Sequence, residues 1–315
     1  RDGIRVRRLA FTSTALLMLA MARVPASPPV EVLSSSGGLP PEIVGVYRDA
    51  GGFQQVRSGQ YLVFDRRSHA VFGVDANETT TWKLVDVGQE PGRVLDPMAF
   101  DAEPGGSFVV ADAPGSGERI QIFSEGGRRL GGFSLPGRAL PRVAIGNVVL
   151  SGIGSLQYTG SSILMNQPET GSLITEYGLA GTPTRSIGAL RRTGHEQDSD
   201  LHVALNSGFP LVDPKGGFFF VFQVGVPIFR KYDRQGRLLF ERHIEGVELD
   251  PVLAALPTVW PRRARGDGSR DLPLVTPVVR TAAVDPAGNL WVALVQPFTA
   301  RLLHAQWAGS ELYFE

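Results

Sequence analysis

The 315-residue sequence predicts an all-β protein built from repeated four-stranded antiparallel sheets. Two observations predict it. A strand–turn–strand segment recurs along the chain, and 38 Gly and 23 Pro supply the turns that many short strands require. A third sets the terms of stability: the chain is 43% hydrophobic and has no cysteine, so packing alone must hold it together.

The recurrent segment is read three times. It runs from Met98 to Asp112, from Pro210 to Phe222 and from Thr281 to Ala293. Each copy is a short strand, a tight turn and a second strand. The turn chemistry is explicit in Asp213-Pro214-Lys215-Gly216 and Asp285-Pro286-Ala287-Gly288. Asp bonds the backbone ahead of it, Pro fixes φ at the second position, and Gly takes the strained exit. On this reading Asp101, Asp213 and Asp285 are turn residues and not catalytic acids. A weaker copy spans 56–65 and a degenerate one 142–150.

A third strand follows each second one, at 70–75, 119–123 and 228–233. Polar and apolar residues alternate in the latter two, the period of a half-buried strand. A fourth follows at 80–85, 128–133 and 237–242, entered through turns that use Gly126-Gly127 and Gly236. Four short strands per unit, at spacings of roughly 40–70 residues, describe the blade of a β-propeller. Blades are expected at about 53–87, 97–135, 141–178, 203–245 and from 279 onward. Phe218, Phe219, Phe220 and Trp291 are expected to pack between blades.

The segment Met98–Phe123 then carries a more specific pattern. It has an apolar residue and Asp, a Gly turn, a strand ending Val-Ala-Asp, and Arg-Ile-Gln-Ile-Phe. In this the chain resembles the NHL-repeat type of six-bladed β-propeller over about 42–300. The resemblance implies architecture and is nearly silent on function. It also implies a sixth blade, for which the sequence after Ala293 is too short. The expectation is about five blades and a C-terminal truncation or frame change after about Thr299. Residues 42–47 are expected to add a strand that closes the last blade.

The remaining organisation follows from composition. Residues 1–26 have the layout of an export signal: Arg5, Arg7 and Arg8, an apolar run from Leu9 to Ala22, and Val24-Pro25-Ala26 as a cleavage site. Left uncleaved, the segment would be an N-terminal anchor, the one route to a membrane. Residues 27–41 read as a Pro/Ser/Gly-rich linker and 42–315 as the propeller domain. The implied location is periplasmic or extracellular, in a bacterium. With 31 basic and 31 acidic residues the formal charge is zero, which argues against nucleic acid as a partner.

No motif reaches the strength of a catalytic signature. The five His lack metal-ligand spacing, and the acidic loop 195–200 lacks the order of a calcium loop. The most distinctive surface feature is an insertion loop at 247–278, Pro-rich and Arg-rich. Within it Trp260 beside Arg262 and Arg263 offers stacking and bidentate hydrogen bonds to an anionic or carbohydrate group. Asn206, before blade four, is placed to point into a central channel. The expected function is therefore a non-catalytic binding or interaction module for a protein or small molecule, without a cofactor. The alternative, implied by gluconolactonase- and paraoxonase-like propellers, is a calcium-dependent hydrolase with the metal in the central channel. Its available amides are Asn147, Asn166 and Asn206.

Overall fold

A computed structural model describes residues 38–115, 117–135, 154–246, 249–264 and 271–295, together with the backbone of 143–145, 148–150, 306–307 and 310–311. The expected signal segment and most of the linker lie outside the described residues.

The first sheet contains β1 (Ala50–Gln55), β2 (Tyr61–Asp65), β3 (Ala70–Val74) and β4 (Thr81–Val85). The second contains β5 (Ala99–Ala102), β6 (Phe108–Asp112), β7 (Glu118–Phe123) and β8 (Arg129–Leu135). Next come β9 (Val143–Ile145) and β10 (Val148–Leu150), which stand apart from the blades. The third blade is β11 (Leu156–Tyr158), β12 (Ser162–Met165), β13 (Ser172–Gly178) and β14 (Pro183–Ala189). The fourth is β15 (Gly208–Val212), β16 (Phe218–Phe222), β17 (Ile228–Tyr232) and β18 (Leu238–His243). After these come β19 (Arg262–Arg263) and β20 (Leu272–Val275), then the pair β21 (Val279–Val284) and β22 (Leu290–Leu294).

In each of the four complete sheets the strands lie in chain order and pair antiparallel. The first strands of successive sheets then stand side by side: β1 by β5, β5 by β11, β11 by β15, β15 by β21. Sheets that share an inner row of strands stack face to face about it. This is a β-propeller.

Stacking explains the composition of the strands. A middle strand is covered on both faces, so β3, β6 and β16 are buried along their whole length and apolar but for Asp112 at the end of β6. Outer strands are more open to solvent, and every residue of β18 is exposed, Leu238, Leu239 and Phe240 included. The cores lie between blades. Phe64 and Val71 meet Phe108 and Phe123; Val109 and Ile120 meet Ile163 and Met165; Leu173 and Ile187 meet Phe218 and Phe220. Phe219 and Val221, on the opposite face of β16, meet Val279 and Ala282 of the following pair. Trp291 departs from the expectation. It is half-buried, and its indole N–H donates to the turn carboxylate of Asp285 at 3.0 Å.

Blade spacing is tight at the β7–β8 turn. Gly127 takes φ +79°, and a Cβ there would lie 2.3 Å from the carbonyl oxygen of Leu84 in the first blade. Gly127→Ala is expected to cost about 1–3 kcal/mol. Gly126→Ala, whose Cβ meets nothing within 4 Å, should cost far less. Urea midpoints of the two variants check this.

Three expectations are corrected. The third blade occupies Leu156–Ala189, not 141–178; β9 and β10 belong to another sheet. Residues 42–47 form no strand. Pro41–Val44 is a short helix, α1, with Pro at its first turn, where a missing N–H costs nothing. Its Ile43 packs with Val63, Phe72 and Val74, so the segment covers the first blade's outward face. The stretch 247–278 is not merely a loop. It contains a helix, α3 (Asp250–Ala254), and the strands β19 and β20. Leu272 and Val275 are buried there, which is what draws the strand inward.

Candidate functional site

Three long connectors between blades converge. They carry β9 and β10 from blade two to three, α2 (Ser199–Leu205) from three to four, and β19 and β20 from four onward. Together the strands form a sheet in the order β10-β9-β20-β19, with β20 parallel to β9, and α2 touches both of those strands. The connectors thus assemble a platform of their own.

Three of the four residues singled out in the sequence surround α2. Trp260 is partly buried against Leu201, Ala204, Leu205, Val224 and Val275. Its ring is packing and is not offered for stacking. Arg262 pairs with Asp198, which also caps α2 through the Leu201 N–H, and donates to the Asp271 carbonyl at 3.0 Å. Asn206, wholly buried, closes the other end of the helix. Its Oδ1 accepts from Arg191 N at 2.9 Å, and its Nδ2 donates to His202 O at 3.0 Å. Arg263 is exposed like Arg262, close in sequence to Val259, which is 82% exposed.

The sequence reading missed Arg191. Its guanidinium donates to the carbonyls of Leu205, Val224 and Val226 and lies 4.4 Å from the Phe222 ring centre. Burial, with the Arg230 charge adding to it, lowers its pKa to about 10. It remains a cation and locks the end of α2 to blade four.

The acidic loop is also closed on itself. Glu196 accepts from Thr193 N at 2.8 Å and Gly194 N at 3.2 Å, and the Thr193 hydroxyl meets His202 Nδ1 at 2.7 Å. Among the described residues no group of three or more His, Asp and Glu could hold a metal ion. Asn166 donates to Leu173 O at 2.8 Å and accepts from Gly208 N at 3.0 Å. With Asn206 it is thus committed to the fold, and neither fits a calcium shell as it stands; Asn147 lies outside the described residues.

A second polar constellation runs along the inner strands. Gln54, Asp101 and Gln157 hold the same register, opposite Leu62, Val109 and Leu164 of their second strands. Each accepts an N–H from the next blade's inner strand. Gln54 Oε1 accepts from Ala102 N at 2.5 Å, Asp101 Oδ2 from Tyr158 N at 2.6 Å, and Gln157 Oε1 from Val212 N. In blade four the position is Leu211, opposite Phe219, and the row ends. Asp101 is therefore a strand residue, which corrects the turn assignment. The turn belongs to Glu103, whose carboxylate accepts from Gly105 N at 2.6 Å. Asp213 and Asp285 do occupy their turns, accepting from Lys215 N at 2.8 Å and Asn289 N at 2.7 Å. Asp101 is half-buried by exposed area, yet enclosed closely enough that burial pushes its pKa up to about 7.

Comparison with known proteins adds the fold's company. No protein-family model and no curated protein matches the chain. Among solved structures it is similar to virginiamycin B lyase from Staphylococcus aureus, at 11% identity and TM-score 0.45, over 84% of this chain and 68% of that one. It is similar also to hydrazine synthase of Kuenenia stuttgartiensis, at 12% identity and TM-score 0.46, over 81% and 77%. The third is the β-propeller domain of Cps50 (Swd1) from Myceliophteria thermophila, at 9% identity and TM-score 0.46, over 84% and 85%.

Proposed function

We propose that this chain is an exported, NHL-like propeller of six-bladed type that works as a binding module, with its contact surface on the connector platform. The observation that carries this is the contrast within residues 259–263. Trp260 is packed and Arg262, though exposed, is paired with Asp198, while Val259 and Arg263 stand exposed beside them. A rigid base presenting one apolar and one cationic side chain suits an acidic partner with some apolar surface.

The test is direct binding of a sulfated oligosaccharide and of an acidic peptide, by calorimetry. At least one should bind, and Arg263→Glu should weaken it about tenfold or more while leaving the melting temperature unchanged. Equal binding by the variant, or no binding by either protein, removes the reading. So would a steep rise of melting temperature with added calcium accompanied by lactone hydrolysis, which belongs to the hydrolase. Export is checked by the N-terminus of the protein recovered from the bacterial envelope, expected just after Ala26.

A further inference from the structure

The row of inner-strand side chains contains one ionisable member. Asp101 Oδ1 accepts from Gln54 Nε2 at 2.6 Å, and Asp101 Oδ2 accepts from Tyr158 N at 2.6 Å. The carboxyl group of the second blade is thereby tied to the first and to the third. The Gln54 amide is not free to turn over. Its Oε1 is held by Ala102 N, so its N–H face must look at Asp101. Both partners, one a side-chain amide and one a backbone N–H, are donors, and neither carboxyl oxygen has an acceptor beside it among these groups. A proton on Oδ1 would oppose the Gln54 N–H; one on Oδ2 would oppose the Tyr158 N–H. Protonation therefore weakens a bond between blades.

Among the described residues no cation balances the carboxylate. On the element packed to one side, β1, there is no ionisable side chain, and neighbouring Arg57 is exposed. On β6 the one charged residue is Asp112, whose carboxylate is held by Arg119 and Leu95 N. On β11 the one ionisable side chain is Tyr158, whose hydroxyl lies against Ser107 Oγ at 3.3 Å. Glu103, two residues along, turns to its own loop. Geometry thus favours the anion through its donors, and burial without a counter-charge opposes it.

We propose that Asp101, Gln54 and the amides of Ala102 and Tyr158 form a proton-operated latch between the inner strands of the first three blades. The latch is closed when Asp101 is ionised and loosened when it is protonated. This does not rest on the binding-module reading. The balance of the two forms falls in the physiological range, since burial places the Asp101 pKa about 7 against an ordinary 3.8. The folded state then takes up a proton between those values that the unfolded chain does not. The stability contributed by this group is full below the ordinary value, falls as pH rises, and is gone above the folded one.

The experiment is a titration of the intact protein followed by carbon NMR of the Asp101 carboxyl and by the amide signals of Ala102 and Tyr158. A carboxyl midpoint near neutrality, with at least one of the two amides moving on the same midpoint, is expected. Hydrogen exchange at the tracking amide, corrected for its intrinsic rate, should slow about tenfold from pH 5 to pH 8. In Asp101→Asn the exchange should not change with pH, and the variant's stability relative to wild type should rise over the same range. A carboxyl midpoint below about 5, or amides indifferent to it, overturns the latch even where the variant does not fold.

Discussion

Lys231→Met is expected to destabilise the protein by about 3–5 kcal/mol, because it strands a buried carboxylate. Lys231 on β17 pairs with Asp213 of the β15–β16 turn, and the two side chains are only 10% and 7% exposed. The ammonium also lies 4.0 Å from the Phe219 ring centre and donates to Gly216 O at 3.3 Å. A loss of that size lowers the melting temperature by on the order of 10 °C in a domain of this length. Removing both charges, with Asp213→Asn added, should recover most of the loss, since the cost is that of an uncompensated ion. Urea denaturation of the single and double variants measures both quantities. A single-variant loss below about 1 kcal/mol would mean that water screens the pair like a surface one.

Asp112→Ala should have a comparable effect, about 3–5 kcal/mol, for a related reason. Asp112 ends β6, and its side chain is wholly buried. It accepts from Arg119 and from Leu95 N, so one carboxylate ties the third strand of its blade to the segment leading into the first. Asp65 captures the corresponding lead-in segment in blade one by accepting from Arg48 N at 2.8 Å and Asp49 N at 3.1 Å, and it also accepts from Arg67 N and Ser68 N of the β2–β3 turn. In both cases the acceptor is 17 residues beyond the captured N–H. Asp112→Asn keeps an acceptor for Leu95 and should fall between wild type and Asp112→Ala. At Asp65 burial raises the pKa, but the backbone N–H groups of Arg48, Ser68 and Asp49 outweigh it and hold the group below its ordinary value. Its stabilising share is present above that ordinary value and is lost on acidification, the opposite of Asp101.

The blades were legible wherever repeat and turn chemistry coincided. Asp213 and Asp285 each announce a turn between two apolar runs, and both runs are strands. The Val-Ala-Asp ending at Asp112 marked the end of a strand, without revealing that its carboxylate is buried or what it holds. Blade three was misplaced because its turns lack Asp-Pro-x-Gly, while 142–150 shows the apolar character of a strand pair. Those residues are strands, but β20, far along the chain, recruits β9 by pairing, which local pattern does not encode. The site was half visible. Trp260 and Arg262 stood out by residue type, yet type cannot say whether a ring is buried or a guanidinium already paired. Asp101 was mistaken for a turn residue because matching it to Asp213 shifts its strand by two positions; matched on the Gly turn, Glu103 takes the place of Asp213. The polar residues Gln54, Asp101 and Gln157 within otherwise mostly apolar strands were the signal that could have found the row.

The parallel pairing of β9 with β20 has a consequence for synthesis. A ribosome releases β9 well over a hundred residues before its partner. Until then the hairpin of β9 and β10 carries an unsatisfied edge able to capture any passing extended segment. The platform can therefore settle only after blades three and four have emerged and stacked. A chain stalled just before Leu272 would display finished blades with an open seam, and that intermediate is the species from which aggregation should begin.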